Sequence, residues 1–518
     1  MFPLKRAVTG KAPVPQNPAR RRIQRKEMQT VQPQHWNNWS GLVRSTPQKV
    51  VYPASIEDVV AVVTECRRHH KSLRVVGAGH SFTPLAATDD VLMSLDNLSG
   101  LIEVHSSDKT ALAWAGTRLH ELGPLLWQNG LAMENLGDID TQSIAGAIST
   151  GTHGTGGQYG VLATQVLEIT AVLGTGEVVT CSEAANRELF RALQVSLGAL
   201  GVIVKVKLQC TKAFRLRYES RRVKLEDCLG NLDSYRNDYR HFEFYCFPYS
   251  DTCQVKLMSE TAAPVTHHPV RDYFNNVIVE NWAFGALSFA CRSVPRLCRP
   301  VSRFSASNVP VGSEIGKSYE VFATPRLVKF NEMEYNIPAQ ELPAVVREVL
   351  ERIEQQEIPV HFPIECRYVR GDNIPISPAS ERDSAYVAVH MYKGMPHEGY
   401  FRAMEEIFLR HQGRPHWGKL HYLTASNLAE KYPKWQYFLD VRRKADPDGV
   451  LLNPYLRTLF GIETGGQFET GGQFEPASRS DESNTARRDS VAGSTATGSS
   501  STIDSKAECT EPEGGQQP

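Results

Sequence analysis

Residues Leu136–Gly157 read LGDIDTQSIAGAISTGTHGTGG, a stretch with scarcely a bulky side chain. Such a stretch adds little to a core. It suits backbone laid against a large flat or polyanionic ligand, with N–H and hydroxyl groups as donors. A flexible linker is the alternative, disfavoured because Ile144, Ala145, Ile148 and the flanking strand patterns anchor the segment. Upstream, a second glycine cluster, Val75-Val76-Gly77-Ala78-Gly79-His80-Ser81, ends the β-branched run LRVVG. Glycines after a strand let backbone approach a phosphate or a ring closely. The dinucleotide fingerprint G-x-G-x-x-G nevertheless fails, because Phe82 stands where the third glycine belongs. His80 taken alone reads more readily as a surface or core histidine.

Working outward, KVVYP predicts a strand and Ser55 the N-cap of a helix through EDVVAVVTECRRH. VLMSL, LIEVH and ALAWAG read as further strands, and TRLHELGPLLWQNG as a helix stopped by Gly130. VLEITAVLGTGEVVTCS is a hairpin pattern turning at Gly174-Thr175-Gly176. After GVIVKVKLQC, helix patterns such as ELPAVVREVLERIEQQ alternate with strands such as AYVAVHMYK. That predicts an antiparallel sheet covered by helices, beginning near Lys212.

At about 100–200 residues per domain, 518 residues predict two or three domains. The 57 Lys and Arg balance 57 Asp and Glu, which argues against a dedicated nucleic-acid binder. Ten scattered cysteines include no C-x-x-C pair, so zinc-ribbon and thioredoxin-like motifs lack support and a reduced compartment is the simpler reading. The nearest approach to a membrane-length run is Trp282–Cys291, short enough for a buried helix or a surface-dipping segment. The first 26 residues hold Lys and Arg but no acid, and predict a basic flexible arm; the prolines spoil an amphipathic presequence. From Glu463 the tandem ETGGQF and a Ser/Thr/Gly-rich continuation predict a disordered tail.

Two more clusters lie downstream. In His361-Phe362-Pro363-Ile364-Glu365-Cys366-Arg367-Tyr368, a strand would put Glu365 and Arg367 on one face. An acid and a guanidinium so placed can hold a polyol; a structural ion pair fits the spacing equally. Gly413-Arg414-Pro415-His416-Trp417-Gly418-Lys419-Leu420 nearly satisfies the phosphate-loop pattern, but Leu420 replaces the hydroxyl that holds magnesium. Lys419 could instead place one charge beside a site. Arg370-Gly371-Asp372 reads as a chance tripeptide, and His69-His70 and His267-His268 as solvated. No H-E-x-x-H or G-x-S-x-G occurs, and no metal is expected.

In order and separation these clusters resemble the aldonolactone oxidases, which include the L-gulonolactone and D-arabinonolactone oxidases. These are sister to the alditol oxidases within the vanillyl-alcohol-oxidase flavoprotein superfamily. The resemblance spans Trp36 to Gly461, including DPDGVLLNPYL at Asp446–Leu456. It implies an α+β protein: an arm over 1–35, a two-subdomain FAD-binding domain over 36–212, an α+β cap with an antiparallel sheet over 213–461, and a tail over 462–518. The segment 415–461 should return toward the flavin. His80 matches the histidine that bears the flavin covalently through its 8α-methyl carbon, and Gly77, Ala78, Gly79 and Ser81 match the pyrophosphate loop. Ser143, Gly146, Gly151, Thr152, His153 and Gly156 match a second cofactor loop, and Ile203 a backbone contact on the adenine side. Glu365, Arg367 and Lys419 match the polar groups at the substrate face, with Ser143 also a substrate candidate. Cys366 stands where many relatives have an aliphatic residue.

The implied activity is FAD-dependent oxidation of a sugar-derived 1,4-lactone by hydride transfer to flavin N5, with oxygen or another acceptor closing the cycle. An alditol oxidase is the alternative. Lys419 or Arg367 would supply positive charge at the flavin, and Glu365 or Lys419 the base. The expected partners are a small sugar lactone or polyol and an electron acceptor, with no nucleic acid. Membrane association is left open, and the location expected is cytoplasmic or mitochondrial.

Overall fold

The computed structural model describes residues 28–31, 35–266, 283–323 and 327–462. The readings for the basic arm as far as residue 27, for His267-His268 and for the tail from residue 463 lie outside those residues.

The β-branched runs of the first half form a small sheet in the order Gln29–Val31, Lys49–Tyr52, Val91–Ser94, Leu73–Val76, its last two pairings parallel. Parallel strands need a crossover, and helix Ile56–Arg68 carries the chain from Lys49–Tyr52 over to Leu73–Val76, the two strands that flank Val91–Ser94. Ser55 Oγ caps that helix by accepting from the Asp58 N–H at 3.1 Å, and Val59, Val62, Val63 and Cys66 form its buried face. A second sheet is antiparallel and five-stranded: Val178–Ser182, Val166–Leu173, Gly201–Gln209, Thr110–Trp114, Leu101–His105. Its hairpin turns where expected, with Gly176 at φ 89°. The glycine-rich stretch forms the short helix Ile144–Ser149, which buries Ile144, Ala147 and Ile148.

From Arg215 the chain builds an eight-stranded antiparallel sheet: Gly312–Lys317, Arg215–Lys224, Thr252–Thr261, His241–Cys246, Ile364–Val369, Ser384–Tyr392, Phe330–Pro338, Arg414–Pro415. Because successive side chains alternate between faces, Phe244, Cys246, Ile364, Cys366, Met333, Tyr335 and Val387 all point one way. There they form one core with Val345, Val346 and Val349 of helix Leu342–Gln355 and with Phe401, Met404 and Phe408 of helix Glu398–Arg410. Cys366 is thus on the helix side, behind the strand. The opposite face carries Glu243, Glu332, Glu334, Glu365, Arg367 and His390, all buried.

The C-terminal segment packs back against the first half. Phe82 N–H donates to Gly418 O at 2.7 Å, Thr83 Oγ1 to Trp417 O at 3.1 Å, and Asn453 Nδ2 to Pro84 O at 2.7 Å. The buried Arg74 seals the junction, its Nε donating to Leu85 O and its NH2 to Leu197 O, both at 2.7 Å. Of the run Trp282–Cys291, Phe284–Cys291 lies in the ten-residue helix Phe284–Ser293, and Trp282 is outside the described residues; no helix among the described residues is long and apolar enough to cross a membrane.

Candidate active site

The loop Gly77–Ser81 leaves the end of strand Leu73–Val76 and turns through Gly79 at φ 67°, a left-handed conformation that favours glycine. A Cβ on Gly77 would lie 2.6 Å from Ser143 Oγ, so only glycine lets the two glycine-rich segments abut there. Ser143 Oγ is fixed in turn, accepting from the Gly146 N–H at 3.2 Å as the cap of the following helix. Between these segments runs a groove of about 120 Å³, lined by Gly77–Ser81, Ser143, Gly146, Gly198 and Ile203. No backbone N–H from Ala78 to Ser81 donates to a protein acceptor among the described residues. Buried or half-buried N–H groups require a partner, and a run of them along a groove stripped of side chains answers a polyanionic ligand.

The groove adjoins a larger cavity of about 510 Å³, and His80, Ser81, Gln142 and Thr150 line both. His80 sits at this junction, its ring stacked on Trp39 at 5.2 Å and 22°. Burial, then the charges of Lys419 and Arg118, pull its pKa down to about 4, so the imidazole is neutral at pH 7.

The polar face of the large sheet forms the far wall. Glu365 and Arg367 share it, as the spacing predicts, and they are paired; Arg367 also reaches Asp138 Oδ2 at 3.1 Å and Glu243 Oε2 at 2.9 Å. Burial opposes the guanidinium's charge, but Asp138, Glu365 and Glu243 outweigh it and hold its pKa well above the usual value. Lys419 arrives on the return loop and lies 2.5 Å from Glu332 Oε2. Burial again works against the charge; Glu332 and Glu334 overcome it, and the ammonium's pKa is raised. Glu332, despite burial, is held down to about 2 by Lys419 and His390. Glu334 binds His153 Nε2 at 3.1 Å, and that ring stacks on Tyr386 at 3.6 Å between centroids. His416 is kept neutral, its pKa lowered to about 3 by burial and by Lys419.

The expected residues therefore separate into two places. Gly77, Ala78, Gly79, His80, Ser81, Ser143, Gly146 and Ile203 line the groove; Thr152, His153, Glu365, Arg367 and Lys419 line the cavity along with His80 and Ser81. Gly151 and Gly156 line neither: a Cβ on Gly151 would meet Pro378 at 3.3 Å, and one on Gly156 would meet Tyr159 at 2.8 Å and Arg240 O at 2.9 Å. Glu243, Glu332, Glu334, Asp138, Trp39 and His390 also line the cavity, and sequence reasoning missed them. A signal was present for the glutamates: in FNEMEYNIP and HFEFYC, acids occupy alternate positions of otherwise apolar strands.

Groove, junction histidine and charged wall together define a binding domain suited to a large anionic ligand, faced across the cavity by the polar side of an antiparallel sheet. Residues 47–182 match the family model described as FAD binding domain, and residues 206–459 the model described as D-arabinono-1,4-lactone oxidase. The chain is 38% identical over 429 residues to an L-gulono-1,4-lactone dehydrogenase of Mycobacterium tuberculosis, covering 82% of this chain and 99% of that one. It is 32% identical over 432 residues to the L-gulonolactone oxidase of Bos taurus, covering 82% and 98%. A cholesterol oxidase from B. sterolicum shares the fold, with a TM-score of 0.72 at 19% identity, covering 84% of this chain and 97% of that one. The chain belongs to the aldonolactone oxidase family, that of the L-gulonolactone and D-arabinono-1,4-lactone oxidases and dehydrogenases. FAD is its cofactor, and the groove fits it: the unpaired N–H groups of Ala78–Ser81 and the bare Gly77, Gly79 and Gly146 are what a dinucleotide diphosphate requires.

Proposed function

We propose that the protein oxidises a carbinol of a sugar-derived 1,4-lactone of the gulono- or arabinonolactone type, with FAD attached through His80. FAD supplies the hydride acceptor, which oxygen or another electron acceptor regenerates. The observation that carries the reading is the charged wall facing His80 across one cavity. A polyhydroxylated ring leaves each hydroxyl in need of a donor or acceptor once water is excluded, and Glu243, Glu332, Glu334, Glu365, Arg367 and Lys419 supply both kinds. Lys419, kept protonated by its glutamates, acts as a fixed positive charge and donor rather than as a base. Glu365 takes the proton of the reacting hydroxyl, and Arg367 orients Glu365. His80, uncharged and half-buried beside Trp39, presents a nucleophilic ring nitrogen at the groove's open end, which supports a covalent link to the flavin.

Anaerobic mixing tests the reaction: gulono- or arabinonolactone should bleach the flavin absorbance within the mixing experiment, and xylitol or sorbitol should do so far more slowly. Rapid bleaching by the alditols alone overturns the lactone reading. For the tether, acid-precipitated wild-type protein stays yellow and the His80→Ala pellet is colourless; a colourless wild-type pellet refutes the attachment.

A further inference from the structure

The helices Phe284–Ser293 and Cys298–Asn308 rim the large cavity, contributing Phe284, Leu287, Phe304 and Asn308 to its lining. They reach the sheet through small contacts: Cys291 and Cys298 join its helix-side core, Ala306 packs with Tyr245 and Phe247, and Phe284 meets Phe362 at 4.8 Å between ring centroids. Their buried residues are Ser288 and Cys291 in the first helix and Cys298, Ser302 and Ala306 in the second, all small. Their large apolar residues Phe289 and Phe304 are 62% and 58% exposed. At the point where the pair meets the loop before strand Ile364–Val369, Cys291, Cys298 and His361 bring two Sγ atoms and one ring nitrogen within 4.8 Å of one another, all fully buried. His361 Nε2 lies 2.9 Å from the buried Ser288 Oγ; with the proton on Nε2, Nδ1 turns its lone pair to Cys298 Sγ, 3.8 Å away. An imidazole fixed by a hydrogen bond at one nitrogen and open at the other is the usual arrangement of a metal-binding histidine.

We propose that Cys291, Cys298 and His361 form a zinc(II) site that clamps this helical pair to the loop carrying Phe362 and Pro363 into the cavity. Two thiolates and one imidazole are ligands zinc favours. Each thiol gives its proton to solvent as its sulfur takes the metal, and the buried centre is then electroneutral, with water as a fourth ligand. No redox change is involved. The clamp adds to that packing of small side chains, and its histidine lies four residues before Glu365 on the loop that lines the cavity.

The test uses the full-length flavoprotein purified without chelators, incubated with equimolar zinc and passed through gel filtration. Elemental analysis should find about one zinc per chain, and cobalt(II) loaded in its place should give tetrahedral d–d absorption to the red of the flavin bands. Cys298→Ala and His361→Ala should lose both signals while keeping the flavin content of the wild type. Cys246→Ala and Cys253→Ala, which alter a separate thiol pair 3.3 Å apart in the sheet core, should keep them. Wild-type protein retaining less than a tenth of an equivalent (on the order of background) overturns the site. So does loss of the metal in the Cys246 and Cys253 variants but not in Cys298→Ala, or an intact mass two hydrogens low showing Cys291 and Cys298 joined as a disulfide.

Discussion

Glu243 and Arg367 stand opposite each other in register on neighbouring strands, and the Arg367 Nε–H donates to Glu243 Oε2 at 2.9 Å. The relationship fixes the guanidinium from behind. Lys256 Nζ, 3.3 Å from the other Glu243 oxygen, and the Tyr245 hydroxyl at 3.2 Å complete the support. Arg367 is thereby held against Glu365, the residue assigned to the reacting hydroxyl.

Removing the guanidinium should be costly in two measurements. Arg367→Ala leaves Glu243, Glu365 and Asp138 without their shared cation, and stripping one partner from a buried ion pair costs about 3–5 kcal/mol. Urea unfolding at pH 7 should register that loss. In reconstituted protein kcat/KM for the lactone should fall about 100-fold or more, on the scale of losing one preorganised charge. Unchanged unfolding and unchanged kinetics together place Arg367 outside the site.

Gly77→Ala should lower flavin content more than stability. The new Cβ arrives 2.6 Å from Ser143 Oγ, and Ser143 can move only by giving up its cap on Gly146 N–H, worth about 1 kcal/mol. The ratio of flavin to protein absorbance should drop in the variant and recover in part in Gly77→Ala combined with Ser143→Gly. A normal ratio in the single variant removes this loop from the cofactor groove.

Acid should weaken the fold well before its carboxylates are neutral. Burial lowers His241 and His416 to about 3 from the ordinary 6.5, so below pH 6.5 the unfolded chain takes up protons that the folded chain refuses. Stability from these groups is present above pH 6.5 and declines as the pH falls. At pH 5 each should have lost about 2 kcal/mol. Glu332, held near 2, adds to the loss below pH 4.5. Lys419, raised, works at the other end, its contribution fading only above pH 10.5. Urea midpoints at pH 7.5 and pH 5 check the sign: an equal or higher midpoint at pH 5 contradicts it.

The sequence by itself determined the elements and their faces. Glycine placement after LRVVG and through Leu136–Gly157 marked backbone suited to close approach by a ligand, since glycine takes up the left-handed φ of 67° at Gly79 without strain and leaves Gly77 room beside Ser143. Strand alternation put Glu365 with Arg367 and Cys366 behind them, because the period of two is a property of the extended chain itself. The tertiary structure decided what each charge meets. Glu243 lies 124 residues from Arg367, and Glu334 lies 181 from His153, so their pairing depends on strand order in the large sheet and on the return of Trp417–Lys419 to Phe82. It also divided the glycine-rich stretch between two places, the groove at Ser143 and Gly146 and the cavity at Thr152 and His153. Local spacing carries the direction in which a side chain points; its partner, and with it the pKa and charge on which chemistry depends, is set by which distant backbone the sheet brings alongside.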